Sequence, residues 1–484
     1  MSATWLDLAG GVCLAVGSDD HDRLDVQRGE DGIHIGFVTL VSIVAAVGGL
    51  LFGYDTSVIS GAIGFMQALF HLSNFMKGWA VSCLTVGAVL GAAAAGSLSD
   101  RFGRKKMLIV AGILFSVGSI GSALSNHMGW FVTARIVGGA GIGVSSTLVP
   151  IYIAEIAPAH LRGRLVSLNQ LAVVIGISAI YFVNRWVAGA GSPRWDVTTS
   201  WRWMLGLGII PGIVFMGLLL TVPESPRWLL KQGAANRAFA ILERLNGARE
   251  AKVRMEEMKR SIQSETGRLG VLLQPGFRAA LVIGIVLGVL QQVTGINAIM
   301  YYAPSIFQQT GAGTNAQLTE TIIVGLDNLV FTILSLWLID KVGRKALLLT
   351  GAFVMTISLV VVGALFQTGN TSSPLILVFI LVFVAAFAIS FGPVVWLVIA
   401  EIFPTRIRGR ATAIASVALW AADYLVSQTF PVLLGSAGPS MTFWMFGLMS
   451  IVAFLFTLLV VPETKERTLE EIEQHWGRRH TSSP

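Results

Sequence analysis

The chain has 484 residues, of which 54% are hydrophobic and 13% charged, with a mean hydropathy of +0.72; that balance excludes an ordinary water-soluble domain and points to a membrane protein. The formal net charge of +7 does not signal nucleic acid, because the basic residues stand in short loops that alternate with nearly uncharged ones. Cys13 and Cys83 are the only cysteines and the seven histidines are scattered, which excludes a disulfide framework and leaves no metal-ligand spacing.

A spanning helix needs about 20 predominantly apolar residues. Twelve such stretches are predicted, beginning near Ile35, Gly78, Met107, Met128, Leu165, Trp203, Arg278, Leu318, Ala346, Pro374, Ala411 and Met441. Residues 1–34 read as a cytoplasmic tail and not a signal peptide, since the short apolar core lacks a basic flank and is followed by an acidic run. The first span, within GLLFGYDTSVISGA, buries Asp55 in an apolar stretch. A charge at a helix centre costs roughly 2.5 to 3.5 kcal/mol on insertion scales, so such an acid marks a pathway, a relay or an ion pair.

After the second span comes DRFGRK, from Asp100. The fourth span contains the matching cation, Arg135. Helical rise places Asp55 about 27 Å along its helix and Arg135 about 10 Å below the outer end of its own, so the two can meet in the outer half. AEIAPAHLRGR, from Ala154, follows the fourth span.

The six stretches of residues 35–222 form one predicted bundle. Residues 223–277 are a polar linker in which Ala238, Ile241, Leu242 and Leu245 recur at helical spacing, with Ser225 and Pro226 as a helix start and Asn246 and Gly247 as a stop. Short amphipathic helices are expected there. In the second bundle, residues 278–461, the seventh span presents Gln291, Gln292, Asn297, Tyr301 and Tyr302 around Gly295. Uncharged groups that both give and accept hydrogen bonds suit sugar hydroxyls; glue between membrane helices is the competing reading. Trp396 offers a face of the size that covers a pyranose ring, and Gly392 with Pro393 can break its helix. Residues 462–484 form a cytoplasmic tail with one short helix.

The basic boxes repeat. DKVGRK stands at Asp340, 240 residues after its counterpart; AEIFPTRIRGR stands at Ala400, 246 after; and PET at Pro462 follows PES at Pro223 by 239. Three ordered pairs at nearly one offset imply a duplicated bundle, the layout of a transporter built from related halves. The basic loops, and with them both termini, are expected on the cytoplasmic side.

Those motifs, with ARIVGGAGIG, RGRLVSLNQ, QQVTGINAIMYYAP and GPVVW in order between about Ile35 and Thr468, resemble the sugar porters of the major facilitator superfamily. That family includes bacterial xylose and galactose proton symporters and animal glucose facilitators. The resemblance implies an all-α polytopic membrane protein with twelve transmembrane helices in two six-helix bundles that rock about a central site. It implies sugar contacts from Gln170, Gln291, Gln292, Asn297, Asn328, Trp396 and Trp420, with Phe52 and Tyr301 as ring-face neighbours. Asp55 falls where proton-coupled members carry Asp and facilitators carry Asn, and Arg135 falls on its usual partner. Arg101, Arg104, Glu155, Arg162, Glu224, Arg344, Glu401 and Arg408 resemble the cytoplasmic network that locks the outward-facing state.

Departures from the pattern are Ile177 for a sugar-binding Gln, Gly208 for an acidic residue, Leu419 for a Gln or Asn, and the acids Asp327 and Asp423 where an aliphatic residue and an Asn are expected. The expected function is proton-coupled import of a hexose or pentose by a monomer in the plasma (inner) membrane, with the proton as coupling ion, no other cofactor and no nucleic-acid partner. Facilitated uniport, polyol or inositol symport, and a transporter-like sugar sensor are the alternatives. The short tail after Pro462 speaks against a sensor, and no nucleophile and base or metal-ligand set speaks for an enzyme.

Overall fold

The computed structural model describes residues 35–158, 161–264, 275–403 and 408–463. The tails, linker residues 265–274 and the Arg408 side chain, which the sequence places in the cytoplasmic network, lie outside the described residues.

Six helical spans form the first half: α1 (Ile35–Phe70), α2 (Asn74–Phe102), α3 (Arg104–Ala123), α4 (Met128–Ile156), α5 (Arg162–Ala188) and α6 (Pro193–Thr221). Three short helices follow, α7 (Pro226–Lys231), α8 (Ala235–Asn246) and α9 (Ala248–Ser264). The second half comprises α10 (Pro275–Val293), α11 (Ile296–Gln308), α12 (Thr314–Val342), α13 (Arg344–Gln367), α14 (Ser373–Ile389), α15 (Phe391–Ile402), α16 (Arg408–Ser436) and α17 (Gly438–Leu459). Pairs α10/α11 and α14/α15 are each one membrane span broken in the middle, giving, among the described residues, twelve helical spans long and apolar enough to cross a membrane. Several start a turn before the apolar stretch does; at α2 a cap accompanies this, the Ser73 side chain accepting from the Met76 N–H.

Polarity is inverted relative to a soluble protein. Leu220, Trp186, Leu40 and Phe353 are exposed, whereas Ser42, Ser60, Ser82 and Thr85 are buried. Outward apolar side chains suit lipid. Those four hydroxyls satisfy themselves on their own helices or on neighbours, Ser42 on the Val38 carbonyl at 2.8 Å and Thr85 on that of Ser82 at 2.6 Å.

Within the first half α2 and α3 pack on α4 and α1 on α5; within the second α13 packs on α17 and α14, and α10 on α16. The halves meet where α2 lies on α16, α5 on α12 and α1 on α11. The linker helices close on a small core of Leu229, Ala238, Leu242, Ala251 and Met255. Their ends are where the sequence puts them: Ser225 accepts from the Trp228 N–H, and Gly247 stands at φ 78° after α8.

Two breaks and two internal prolines shape the interior. Gly295, at φ 93°, separates α10 from α11. Ser390 (φ −115°, ψ −90°) separates α14 from α15, two residues ahead of the expected Gly392. Pro304 inside α11 and Pro431 inside α16 each lack the N–H that their helix needs four residues back. The carbonyls thus left over are those of Met300 and Ser427. Each is taken by a tyrosine hydroxyl at 2.8 Å, Tyr181 on Met300 and Tyr302 on Ser427.

Candidate functional site

The first group is a buried ion pair. The Arg135 guanidinium of α4 donates through Nη1 to Asp55 Oδ1 and, at 3.1 Å through Nη2, to the Asp55 main-chain carbonyl of α1. Asp55 is 5% and Arg135 2% exposed, so both charges have left water and each is the other's partner. The meeting expected from helical rise is the one observed.

The second group lies across the interior on α10, α11 and α16. Asn297 Nδ2 donates to Gln292 Oε1 at 2.8 Å and to Asp423 Oδ1 at 2.9 Å. Ser427 Oγ donates to Asp423 Oδ1 at 3.2 Å, and the Tyr301 hydroxyl approaches Asp423 Oδ2 at 3.4 Å. Gln291 behaves differently from its neighbour. Both hydrogens of its Nε2 go to main-chain carbonyls, Phe391 at 2.8 Å and Gly392 at 3.1 Å, which ties α10 to the break before α15. Adjacent helical residues point about 100° apart, and the two glutamines accordingly have different protein partners. The expectation of Gln291 as a sugar contact therefore rests on its Oε1 alone, which is buried and meets no protein donor among the described residues.

Aromatic residues join the halves between these groups. Phe52 of α1 meets Trp420 of α16 edge to face, with centroids 5.3 Å apart. Trp396 of α15 packs with them and with Leu419, Ala88 and Ala92. Gln170 on α5 is half-buried, Asn328 on α12 is buried, and neither side chain makes a hydrogen bond among the described residues. They stand on the two helices of one seam, where Ser178 Oγ of α5 donates to the Gly325 carbonyl of α12 at 2.9 Å.

The repeated boxes give repeated geometry. In the first half the N–H groups of Arg104 and Lys105, at the start of α3, both donate to Glu224 at 3.0 Å; in the second those of Arg344 and Lys345, at the start of α13, donate to Glu463 at 3.1 and 3.0 Å. A carboxylate there answers the unpaired donors and positive end of a helix. Arg104 pairs with Glu155 at 3.3 Å and Arg344 with Glu401 at 3.1 Å. Lys105 Nζ reaches the Leu220 carbonyl and Lys345 Nζ that of Leu458. Gly103 (φ 102°) and Gly343 (φ 99°) turn the chain before α3 and α13 in a region that L side chains rarely enter.

Two members of the expected network stand apart. The Arg101 guanidinium lies over the Phe102 ring at 5.2 Å. Arg162 is exposed and forms no ion pair among the described residues; it faces Arg254 of α9, whose guanidinium is held below its usual range by burial and then by the Arg162 charge. Arg254 itself caps the end of α4 by donating to the Ala157 carbonyl at 2.8 Å.

The hydrogen bonds that join the halves gather away from the basic boxes. Lys77 Nζ donates to Ser305 Oγ at 3.1 Å, Ser82 Oγ to Gln428 Oε1 at 2.8 Å, Gln428 Nε2 to the Phe75 carbonyl at 3.0 Å, and Tyr181 to Met300. These residues sit near the ends of α2, α5, α11 and α16 that are remote from the boxes. Among the described residues, the far face is therefore the sutured one.

Sequence reasoning missed Glu463, Lys77 and the part played by Asp423. Glu463 was readable, being the counterpart of Glu224 through the repeat of PES as PET. Lys77 was not, since a lysine at the edge of an apolar stretch reads as a solvated flank, yet it is 8% exposed.

A family profile described as "Sugar (and other) transporter" matches residues 41–476. The chain is 48% identical over 443 residues to the arabinose-proton symporter of Bacillus subtilis, covering 91% of this chain and 96% of that protein. It is 41% identical over 472 residues to the D-xylose-proton symporter of Escherichia coli, again over 91% and 96%. Among solved structures, the E. coli xylose transporter in a partially occluded inward open conformation superposes with a TM-score of 0.81 at 40% identity, over 90% of this chain and 100% of that one. With twelve helical spans in two related bundles, this multi-pass membrane protein belongs to the sugar porter family of the major facilitator superfamily.

Proposed function

We propose that the chain imports a monosaccharide together with protons by alternating access, as a monomer in the plasma membrane with its basic boxes and both termini in the cytoplasm. The observation that carries this reading is the Asp55–Arg135 pair: a carboxyl that can take up and release a proton is buried against a single cation in one half. Opposite it, the second half offers neutral donors and acceptors on Gln292 and Asn297, with Phe52, Trp396 and Trp420 as apolar walls. Protonation of Asp55 removes the charge that holds the guanidinium, so the pair reports proton occupancy to α1 and α4. Gln170, Asn328 and Tyr301 complete the proposed sugar site. Arg104, Glu155, Glu224, Arg344 and Glu401 keep the ends of each bundle rigid, and Arg162 with Arg408 joins them when the cytoplasmic side shuts.

The state seen here supports that assignment of the gate. A seam closed at the far face corresponds to access from the basic face, and Arg162, exposed and without an ion pair among the described residues, is in keeping with that. The similarity to a partially occluded inward open structure is in the same direction. The Bacillus subtilis and Escherichia coli symporters to which the chain is similar are named for pentoses, which supports a pentose as the preferred sugar of this chain.

The test is uptake of a panel of labelled pentoses, hexoses and inositol into energised and de-energised vesicles. Accumulation above the external concentration in energised vesicles, best for a pentose, is expected. Equal, purely equilibrating uptake under both conditions would favour a uniporter.

A further inference from the structure

Asp423 is fully buried at 0% exposure, so it does not itself face a ligand. It sits on α16 three residues past Trp420, and every contact it makes is with a donor: Asn297 Nδ2, Ser427 Oγ and the Tyr301 hydroxyl. The consequence falls on Asn297, which is partly exposed to the interior. An amide nitrogen has two hydrogens. One goes to Gln292 Oε1 and the other to Asp423 Oδ1, so the donor side of Asn297 is used up. Its Oδ1 meets no protein donor among the described residues. Gln292 is set the other way round, because its Oε1 is occupied and its Nε2 has no acceptor among those residues.

An Asn at 423, the residue expected from the sugar-porter pattern, could give or accept, and Asn297 could then stand with either end toward a ligand. A carboxylate oxygen facing Asn297 can only accept. It holds Asn297 with its carbonyl outward, and through Asn297 it holds Gln292 with its amino group outward. We propose that Asp423 is a positioning residue that sets the polarity of this amide pair. The chain then selects a sugar with one hydroxyl that donates to Asn297 and one oxygen that accepts from Gln292. This rests on the reading of Gln292 and Asn297 as sugar contacts. It deepens that reading by giving each contact a direction.

Fluorine distinguishes the direction, since a C–F group cannot donate and a C–OH group can. The experiment measures binding of the parent sugar and its monodeoxy and monofluoro analogues to the purified full-length protein by competition. In the wild type, one ring position is expected where fluorine is as damaging as hydrogen, each weakening binding about 10-fold, the size of a lost hydrogen bond in a buried site. In Asn297→Ala that hydroxyl preference should vanish. In Asp423→Asn the fluoro analogue at the same position should recover several-fold over the deoxy analogue, because the freed amide can turn its N–H toward fluorine.

An unchanged hydroxyl, fluoro and deoxy ranking in Asp423→Asn would overturn the proposal. Should that variant not fold, the wild type and Asn297→Ala still decide it: a wild type in which no donor-dependent position exists, or one whose donor-dependent position survives in Asn297→Ala, contradicts it. Failure of the underlying site reading looks different, since Gln292→Ala and Asn297→Ala would then leave binding of the parent sugar itself unchanged.

Discussion

The two halves of this molecule agree at one end and disagree in the middle. At the basic face, Arg104, Lys105, Glu155 and Glu224 reproduce the bonds of Arg344, Lys345, Glu401 and Glu463 almost atom for atom. In the interior the first half holds a buried ion pair and the second a row of amides, phenols and one acid. A duplicated chain keeps in both copies what each bundle needs to move as a body. What appears in one copy only is where the chemistry has divided, with an ion pair on one side and amides gathered about a lone acid on the other.

The largest expected effect tests that division. Asp55→Asn should abolish accumulation against a gradient while sparing sugar exchange, since an amide cannot carry the proton; concentrative uptake and counterflow measured on the same vesicles check it. A variant that loses both would place Asp55 in the sugar site and blur the two halves into one.

Next come the amides. Gln292→Ala and Asn297→Ala should each weaken sugar binding by about 1 to 3 kcal/mol, the cost of a partner left unpaired in a desolvated site, as read by equilibrium binding. Gln291→Ala should instead lower thermal stability, because its amino group holds the carbonyls of Phe391 and Gly392 at the helix break. Equal binding losses from Gln291 and Gln292 would contradict the separation made here.

The agreement between halves is tested by a matched pair. Glu224→Ala and Glu463→Ala each remove the acceptor of two main-chain N–H groups at a helix start. Destabilisation of about 1 to 3 kcal/mol in both is expected from thermal unfolding. A large effect in one and none in the other would mean that the repeat has lost its function in one copy.

The smallest effect concerns the seam. Tyr181→Phe removes the donor to the Met300 carbonyl that Pro304 leaves unpaired, at a cost of about 0.5 to 1.5 kcal/mol. Hydrogen exchange in α11 should quicken, and unchanged protection would show that this bond does not hold the far face.

Much of this was legible in the sequence because it depends on order and spacing. The boxes announce the duplication, an acid and an arginine in two apolar stretches announce a pair, and Ser225 with Pro226 announces a helix start. What stayed hidden depends on rotation and on distant neighbours. A pair of adjacent glutamines reads as one feature until the helix turns them to different partners. Asp423 reads as an anomaly until α11 brings Asn297 to it, 126 residues away. The carbonyls of Met300 and Ser427 were implied by Pro304 and Pro431, yet nothing in the sequence named the tyrosines that would find them.

The central claim is that a proton bound in the first half travels with a sugar bound in the second. The most direct measurement is the external pH of lightly buffered, de-energised vesicles on adding the preferred sugar. Sugar-dependent alkalinisation is predicted for the wild type, with none for Asp55→Asn at matched protein level and intact exchange. Sugar entry without any proton movement in the wild type, or the same alkalinisation in Asp55→Asn, would contradict it.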